Sequence, residues 1–155
     1  MRPARSHKNE YMPEITKTVL VEHTQEQMFE LVDAVERYPE FLPWCGGSSV
    51  SHRDDTVTRA TLHINYRGIK QSFTTQNSKS PPRVMSVKLV EGPFRSLDGE
   101  WRFLPLQGGC KIEFRLRYEF SSRILERLVG PVFNYIANTM VDSFVRRAEV
   151  LYGGR

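Results

Sequence analysis

The side chains capable of acid–base, nucleophilic or metal chemistry are few in this chain, and they are scattered. The four histidines are His7, His23, His52 and His63. None stands at an i, i+4 spacing from a second ligand type, so no common metal-site spacing is present. His63 falls on the polar face of an alternating segment, where a solvated ring is the plain reading. The run His52-Arg53-Asp54-Asp55 sets an imidazole beside two carboxylates. It reads as a turn, however, a place that favours Asp for its backbone conformation. Cys45 follows Trp44 beside a glycine pair. The helical segment near it lies upstream, so no helix N-terminus lowers the thiol pKa, and a small buried hydrophobe is expected. Asp98 and Glu100 share the outward face of a strand pattern, where carboxylates are ordinarily solvated. No G-x-G-x-x-G, P-loop or G-x-S-x-G elbow occurs. The pattern points away from catalysis, and no required cofactor is expected.

Binding chemistry is better represented. The chain has nine Phe, six Tyr, two Trp and five Met. Rings and thioethers adapt to irregular apolar shapes, so they suit either a flexible apolar ligand or a dry core. Cations occur as Arg146-Arg147, as Arg123 and Arg127, and on a strand as Lys111, Arg115 and Arg117. Phosphate binding needs clustered cations without compensating acids. Here Glu113 and Glu119 interleave the strand cations, and Glu126 and Glu149 flank the helical ones. The net charge of +4 is therefore weak support for a polyanion, and no DNA partner is expected.

The elements that must position these residues follow from length and periodicity. A chain of 155 residues suits one domain. Hydrophobic residues are 39% and charged residues 26%, far from a disordered composition. No apolar run is long enough to span a bilayer, and no secretory signal pattern occurs. Two cysteines, Cys45 and Cys110, fit a reducing compartment, so a cytoplasmic location is expected. Residues 1–11 carry a net +2 without apolar periodicity and read as a disordered basic extension. Met12 stands directly before the first strand pattern; translation could start there, or the extension could be a genuine tail. The domain is expected over residues 12–153.

Ile15 to Val21 reads as a strand. Thr24 with Gln27 forms a capping box before a short helix ending near Asp33. A second helical turn or two covers Glu36 to Leu42, and Cys45-Gly46-Gly47-Ser48 then breaks the pattern. Strands follow over Ser49–Arg53, Val57–Arg67, Lys70–Asn77, Arg83–Val90, Leu97–Leu104 and Lys111–Phe120. The last alternates without a fault: Ile112, Phe114, Leu116, Tyr118 and Phe120 oppose Lys111, Glu113, Arg115, Arg117 and Glu119. One face must be wet and the other covered. The cover is Ser122 to Tyr152, whose stripe comprises Leu125, Val129, Phe133, Ile136, Met140, Phe144 and Leu151. Pro131 predicts a kink or break in that helix. Strands followed by a helix argue for an α+β fold, a curved antiparallel sheet of about seven strands gripping one long helix. Such a grip leaves a gap in which small-molecule pockets form.

Three segments carry a family likeness. Glu36-Arg37-Tyr38-Pro39-Glu40-Phe41-Leu42-Pro43-Trp44-Cys45 resembles the signature after the first helix in the coenzyme Q-binding, START-like family of the polyketide cyclase/dehydrase group. Gly92-Pro93-Phe94-Arg95-Ser96-Leu97-Asp98-Gly99-Glu100-Trp101-Arg102-Phe103 resembles its second signature. Val132-Phe133-Asn134 through Met140-Val141-Asp142-Ser143-Phe144-Val145-Arg146-Arg147-Ala148 is similar to its terminal helix. The likeness runs from about Met12 to Gly153, and the Gly-Pro-Phe form is most similar to the bacterial branch of ribosome association toxins.

The resemblance implies a helix-grip fold, which agrees with the sheet-and-helix reading. It also implies two functions of different classes. Mitochondrial relatives bind ubiquinone and support respiration as lipid chaperones. The toxin branch binds the large ribosomal subunit and blocks its association with the small one. Cyclases of the wider group are enzymes, but no acid–base pair on an apolar face supports that reading here. The expectation is noncatalytic binding of an isoprenoid quinone or other apolar molecule, with ubiquinone as the implied ligand. Trp44, Met85, Phe94, Trp101, Phe133, Ile136 and Met140 are expected to line or gate the cavity, Phe94 at its mouth. Membrane contact would be at most peripheral. The ribosome alternative would use Arg146 and Arg147. A scaffold whose cavity is filled by side chains is the blandest alternative.

Overall fold

Period-two and period-3.6 patterns resolve into seven strands and two α-helices. The computed structural model describes residues 13–153. In chain order the elements are β1 (Glu14–Val21), α1 (Gln25–Asp33), a 3-10 helix (Val35–Glu40), β2 (Cys45–Arg53) and β3 (Val57–Tyr66). β4 (Ile69–Ser80), β5 (Val84–Glu91), β6 (Phe94–Leu106), β7 (Gly109–Phe120) and α2 (Arg123–Tyr152) complete the chain. The strands form one sheet in the order β1-β7-β6-β5-β4-β3-β2. Every pairing is antiparallel, and β2 to β7 are joined as successive hairpins. This is an α+β helix-grip fold, a curved seven-stranded sheet around a long C-terminal helix. The expected extension over residues 1–11 lies outside the described residues.

Local chemistry starts each helix. Thr24 Oγ1 accepts from Gln27 N at 3.0 Å, and Gln27 Oε1 accepts from Thr24 N at 2.9 Å. This reciprocal box satisfies two N-terminal N–H groups of α1. Ser122 Oγ accepts from Leu125 N at 3.1 Å and caps α2 from one side only. The even positions of β7 are all buried, as its alternation requires.

Four local expectations are corrected. β2 begins at Cys45, not Ser49, because the glycine pair bulges the strand instead of ending it. A Cβ on Gly46 would stand 2.8 Å from the Asn65 Cβ, so the two backbones approach as only glycine permits. β6 begins at Phe94 rather than Leu97, with Phe94 opposite Phe120. α2 runs through Pro131 without a break. Pro131 faces solvent, while its neighbours Val129, Val132 and Phe133 are buried against the sheet and hold the helix together. Finally, Leu151 is 49% exposed and does not extend the buried stripe; Ala148 and Tyr152 carry the inward face through the last turn.

Candidate functional site

A cavity of about 70 Å³ lies between the concave face of the sheet and α2. Register creates its floor: Met85 on β5 pairs with Trp101 on β6, and Trp101 pairs with Phe114 on β7. α2 supplies the roof with Phe133, Ile136 and Met140, while Val32, Val35 and Tyr38 close the side toward α1. Among the described residues eighteen line the cavity, and none of them is charged. Leu62, Val87 and Met140 are half-buried and form its most accessible wall. An engineered apolar cavity that admits benzene measures about 150 Å³, and one water occupies about 30 Å³. A ring therefore enters this space only as side chains yield. Met85 and Met140, with flexible unbranched chains, are the walls best suited to do so.

Five of the seven residues expected at the cavity line it: Met85, Trp101, Phe133, Ile136 and Met140. Trp44 and Phe94 do not. Trp44 is 1% exposed and packs in the core just before β2, where its carbonyl accepts from Asn65 N at 2.9 Å. Phe94 is 5% exposed, so it is no mouth residue. It stacks on Phe120 at 5.0 Å and meets Phe133 and Phe73 edge-on at 4.8 and 5.7 Å. Its place as the first residue of a strand, not a loop, turns it inward behind two cavity walls.

Sequence reasoning missed the polar part of the lining, Thr75 and Asn77. Both lie on the inward face of β4, two and four residues beyond buried Phe73. The same period-two rule would have found them. Tyr38 also lines the cavity, but its hydroxyl donates to the Val32 carbonyl. Burial pushes the Tyr38 phenol far above its ordinary range, so it stays neutral.

Beside the cavity, on the same face of β4, Lys79 is buried and pairs with Asp33 at 3.0 Å. Asp33 also accepts from Thr58 Oγ1 at 2.8 Å, and Arg53 bridges Asp33 and Glu36. Hydrogen bonding to Arg53 lowers the Glu36 pKa. The network ties α1 and the 3-10 helix to β2, β3 and β4.

The two arginines of the ribosome alternative separate in space. Arg146 is exposed and donates to Ser143 Oγ at 3.3 Å. Arg147 instead turns inward, donating to Glu40 Oε1 at 2.6 Å with its guanidinium 5.1 Å from the Phe41 ring centroid. There it clamps the 3-10 helix to α2. The thiols of Cys45 and Cys110 are both buried, and burial raises both pKa values, that of Cys110 to about 11. His23 is buried and contacts Glu149 at 3.0 Å, while exposed His63 meets Ser72 Oγ at 2.6 Å. Among the described residues no group of three His, Cys, Asp or Glu could hold a metal ion. Among them, too, no helix is long and apolar enough to cross a membrane.

A curved sheet, a gripped helix and an uncharged cavity between them define a class. Residues 21–145 match the model of the family described as polyketide cyclase / dehydrase and lipid transport, and the chain belongs to that family. Among its relatives is the ribosome association toxin RatA of Vibrio cholerae serotype O1. It is 43% identical over 143 residues, covering 92% of this chain and 99% of that protein. The mitochondrial coenzyme Q-binding protein COQ10 homolog B of Xenopus laevis is 30% identical over 133 residues. That match covers 83% of this chain and 54% of the frog protein. These relatives are named for binding or toxicity rather than for catalysis, although the family description includes cyclases. A START superfamily protein from Mycobacterium smegmatis shares the fold, with a TM-score of 0.71 at 19% identity, over 89% of this chain and 98% of that one.

Proposed function

We propose that the chain is a noncatalytic binder of an apolar molecule of the isoprenoid quinone class, ubiquinone foremost, seated between sheet and helix. The cavity carries this reading: an uncharged lining that pairs flat aromatic walls with two yielding methionines. The name of the coenzyme Q-binding frog relative adds the ligand class. Bound ring and tail would displace Met140 and pass the half-buried wall, so the protein would act as a carrier in the cytoplasm with at most peripheral membrane contact. The test is organic extraction of protein purified from its native host, followed by mass spectrometry, together with titration by a short-chain ubiquinone. Co-purifying isoprenoid and saturable quenching of Trp101 fluorescence are expected. No isoprenoid and no saturable binding would overturn the reading.

A second reading, association with the large ribosomal subunit, draws on the RatA relative and on one surface feature. Tyr66 and Tyr135 stack at 5.3 Å with 5° between their planes, and the Arg67 guanidinium lies 5.2 Å from the Tyr66 centroid. The neighbouring Tyr66 hydroxyl raises the Tyr135 phenol pKa, against the pull of Arg67 and Arg146. Tyr66, Tyr135 and Arg67 thus form a patch of rings and a cation, the combination that stacks on unpaired bases and holds phosphates, and Arg146 is an exposed cation on the helix that carries Tyr135. Co-sedimentation with isolated large subunits should weaken with salt and fall further in an Arg67→Glu/Arg146→Glu variant. Binding indifferent to both would sink this interface.

A further inference from the structure

Resting on the cavity reading above, we infer that Asn77 is the hydrogen-bond donor that selects a carbonyl-bearing ligand, so that the site discriminates quinones and other cyclic ketones from plain hydrocarbons and acyl chains. Among the described residues, four side chains with hydrogen-bonding atoms border the cavity: those of Tyr38, Thr75 and Asn77, and Trp101 through its indole N–H. The Tyr38 hydroxyl is spent on the Val32 carbonyl. Thr75 Oγ1 donates to Asn77 Oδ1 at 3.0 Å, which spends the one hydroxyl proton and orients the amide. With Oδ1 turned toward Thr75, the Asn77 Nδ2 group keeps two protons, and it donates no hydrogen bond among the described residues. Asn77 is only 6% exposed and borders the cavity.

The polar neighbours on the strands are engaged elsewhere, and Trp101 offers one indole N–H against the two protons of the amide. Lys79, two residues on along the same face, is already paired with Asp33. Across the ladders Asn77 faces Val87 on β5 and Thr58 on β3, and Thr58 donates its own proton to Asp33. An amide N–H is neutral and acceptor-seeking, so its complement is a neutral oxygen with free lone pairs. A carboxylate would have to lose its hydration in a cavity that holds no cation, which disfavours a free fatty acid. A flat ring carrying a carbonyl meets both demands, its faces against Trp101 and Phe133 and its oxygen against Nδ2.

The test compares decylubiquinone with the arene that bears the same substituents but no ring carbonyls, each titrated into the full chain and into Asn77→Leu. Leucine keeps the volume and removes the donor. The wild type should bind the quinone about ten-fold more tightly than the arene, the worth of one dry hydrogen bond. Asn77→Leu should bind the two alike. Infrared difference spectra should show the bound quinone carbonyl stretch moved to lower frequency in the wild type and unmoved in the variant. Should Asn77→Leu fail to fold, the smaller Asn77→Val, which also removes the donor, takes its place in both measurements. Equal affinities in the wild type, an unshifted carbonyl, or a preference retained in Asn77→Leu would overturn the inference while leaving the cavity reading intact. Failure of the wild type to bind either probe would overturn the cavity reading, and the inference with it.

Discussion

Lys79 Nζ lies 3.0 Å from Asp33 Oδ2, with the lysine side chain 4% exposed, so a strand cation is held under the sheet by the last residue of α1. Two charges removed from water gain little net stability from each other, but either one left alone is costly. The pair therefore acts less as a source of stability than as a constraint on where α1 docks beside the cavity.

Lys79→Met should destabilise the fold by about 3 kcal/mol, because it strands Asp33 with only Thr58 and the more distant Arg53 for partners. Lys79→Met combined with Asp33→Leu should recover most of that loss. Urea denaturation of the single and double variants reads both outcomes. A double variant as unstable as the single would show that the pair is not the relevant unit.

Phe133 is the hub of the aromatic cluster, 4.7 Å from Tyr118, 4.8 Å from Phe94 and 5.9 Å from Phe73 between ring centroids. Phe133→Ala should cost about 3–5 kcal/mol, the transfer loss plus the void it leaves. Because Phe133 also lines the cavity, the void should add to the ligand space. Thermal melts in the presence and absence of decylubiquinone should show a lower melting temperature that the ligand restores in part.

Arg147→Glu should destabilise the protein by about 2 kcal/mol, since it replaces a charge-assisted bond and a cation–π contact with two facing carboxylates. Arg146→Glu, at an exposed position, should change stability by less than about 0.5 kcal/mol. Chemical denaturation distinguishes them. Equal effects would mean that the clamp on the 3-10 helix is not an anchor.

Cys110 sits at 0% exposure, and burial, with Glu26 second, raises its thiol pKa from an ordinary value near 9 to about 11. The folded protein holds the thiol proton more tightly than the unfolded chain. Its contribution is therefore complete below about pH 9 and is lost as pH rises toward about 11. Cys110→Val should show a shallower loss of stability over that window than the wild type. Ellman's reagent should react slowly with the native protein at about pH 8 and rapidly once it is unfolded.

Alternation on β7 and the helical stripe of α2 were enough to place sheet, helix and grip, because each periodicity reports directly which face a residue presents. The same rule located five of the cavity residues. It failed at Phe94, where a Gly-Pro-Phe segment looked like a loop. Gly92 does turn the chain, at φ +154°, with no room for a Cβ beside Phe73, but the strand starts two residues later. Nor did the rule separate Arg147, which pairs with Glu40, from its exposed neighbour Arg146 of the same type.

Local order along the chain thus carries the fold class, the family and the inward faces, since all three are written in spacing between near neighbours. Which inward residues border open space, and which simply pack, is set by how far the curved sheet stands from α2, through pairings between residues distant in sequence. Asn77 borders open space, and Arg147 becomes a clamp on Glu40, only because elements distant in sequence come together.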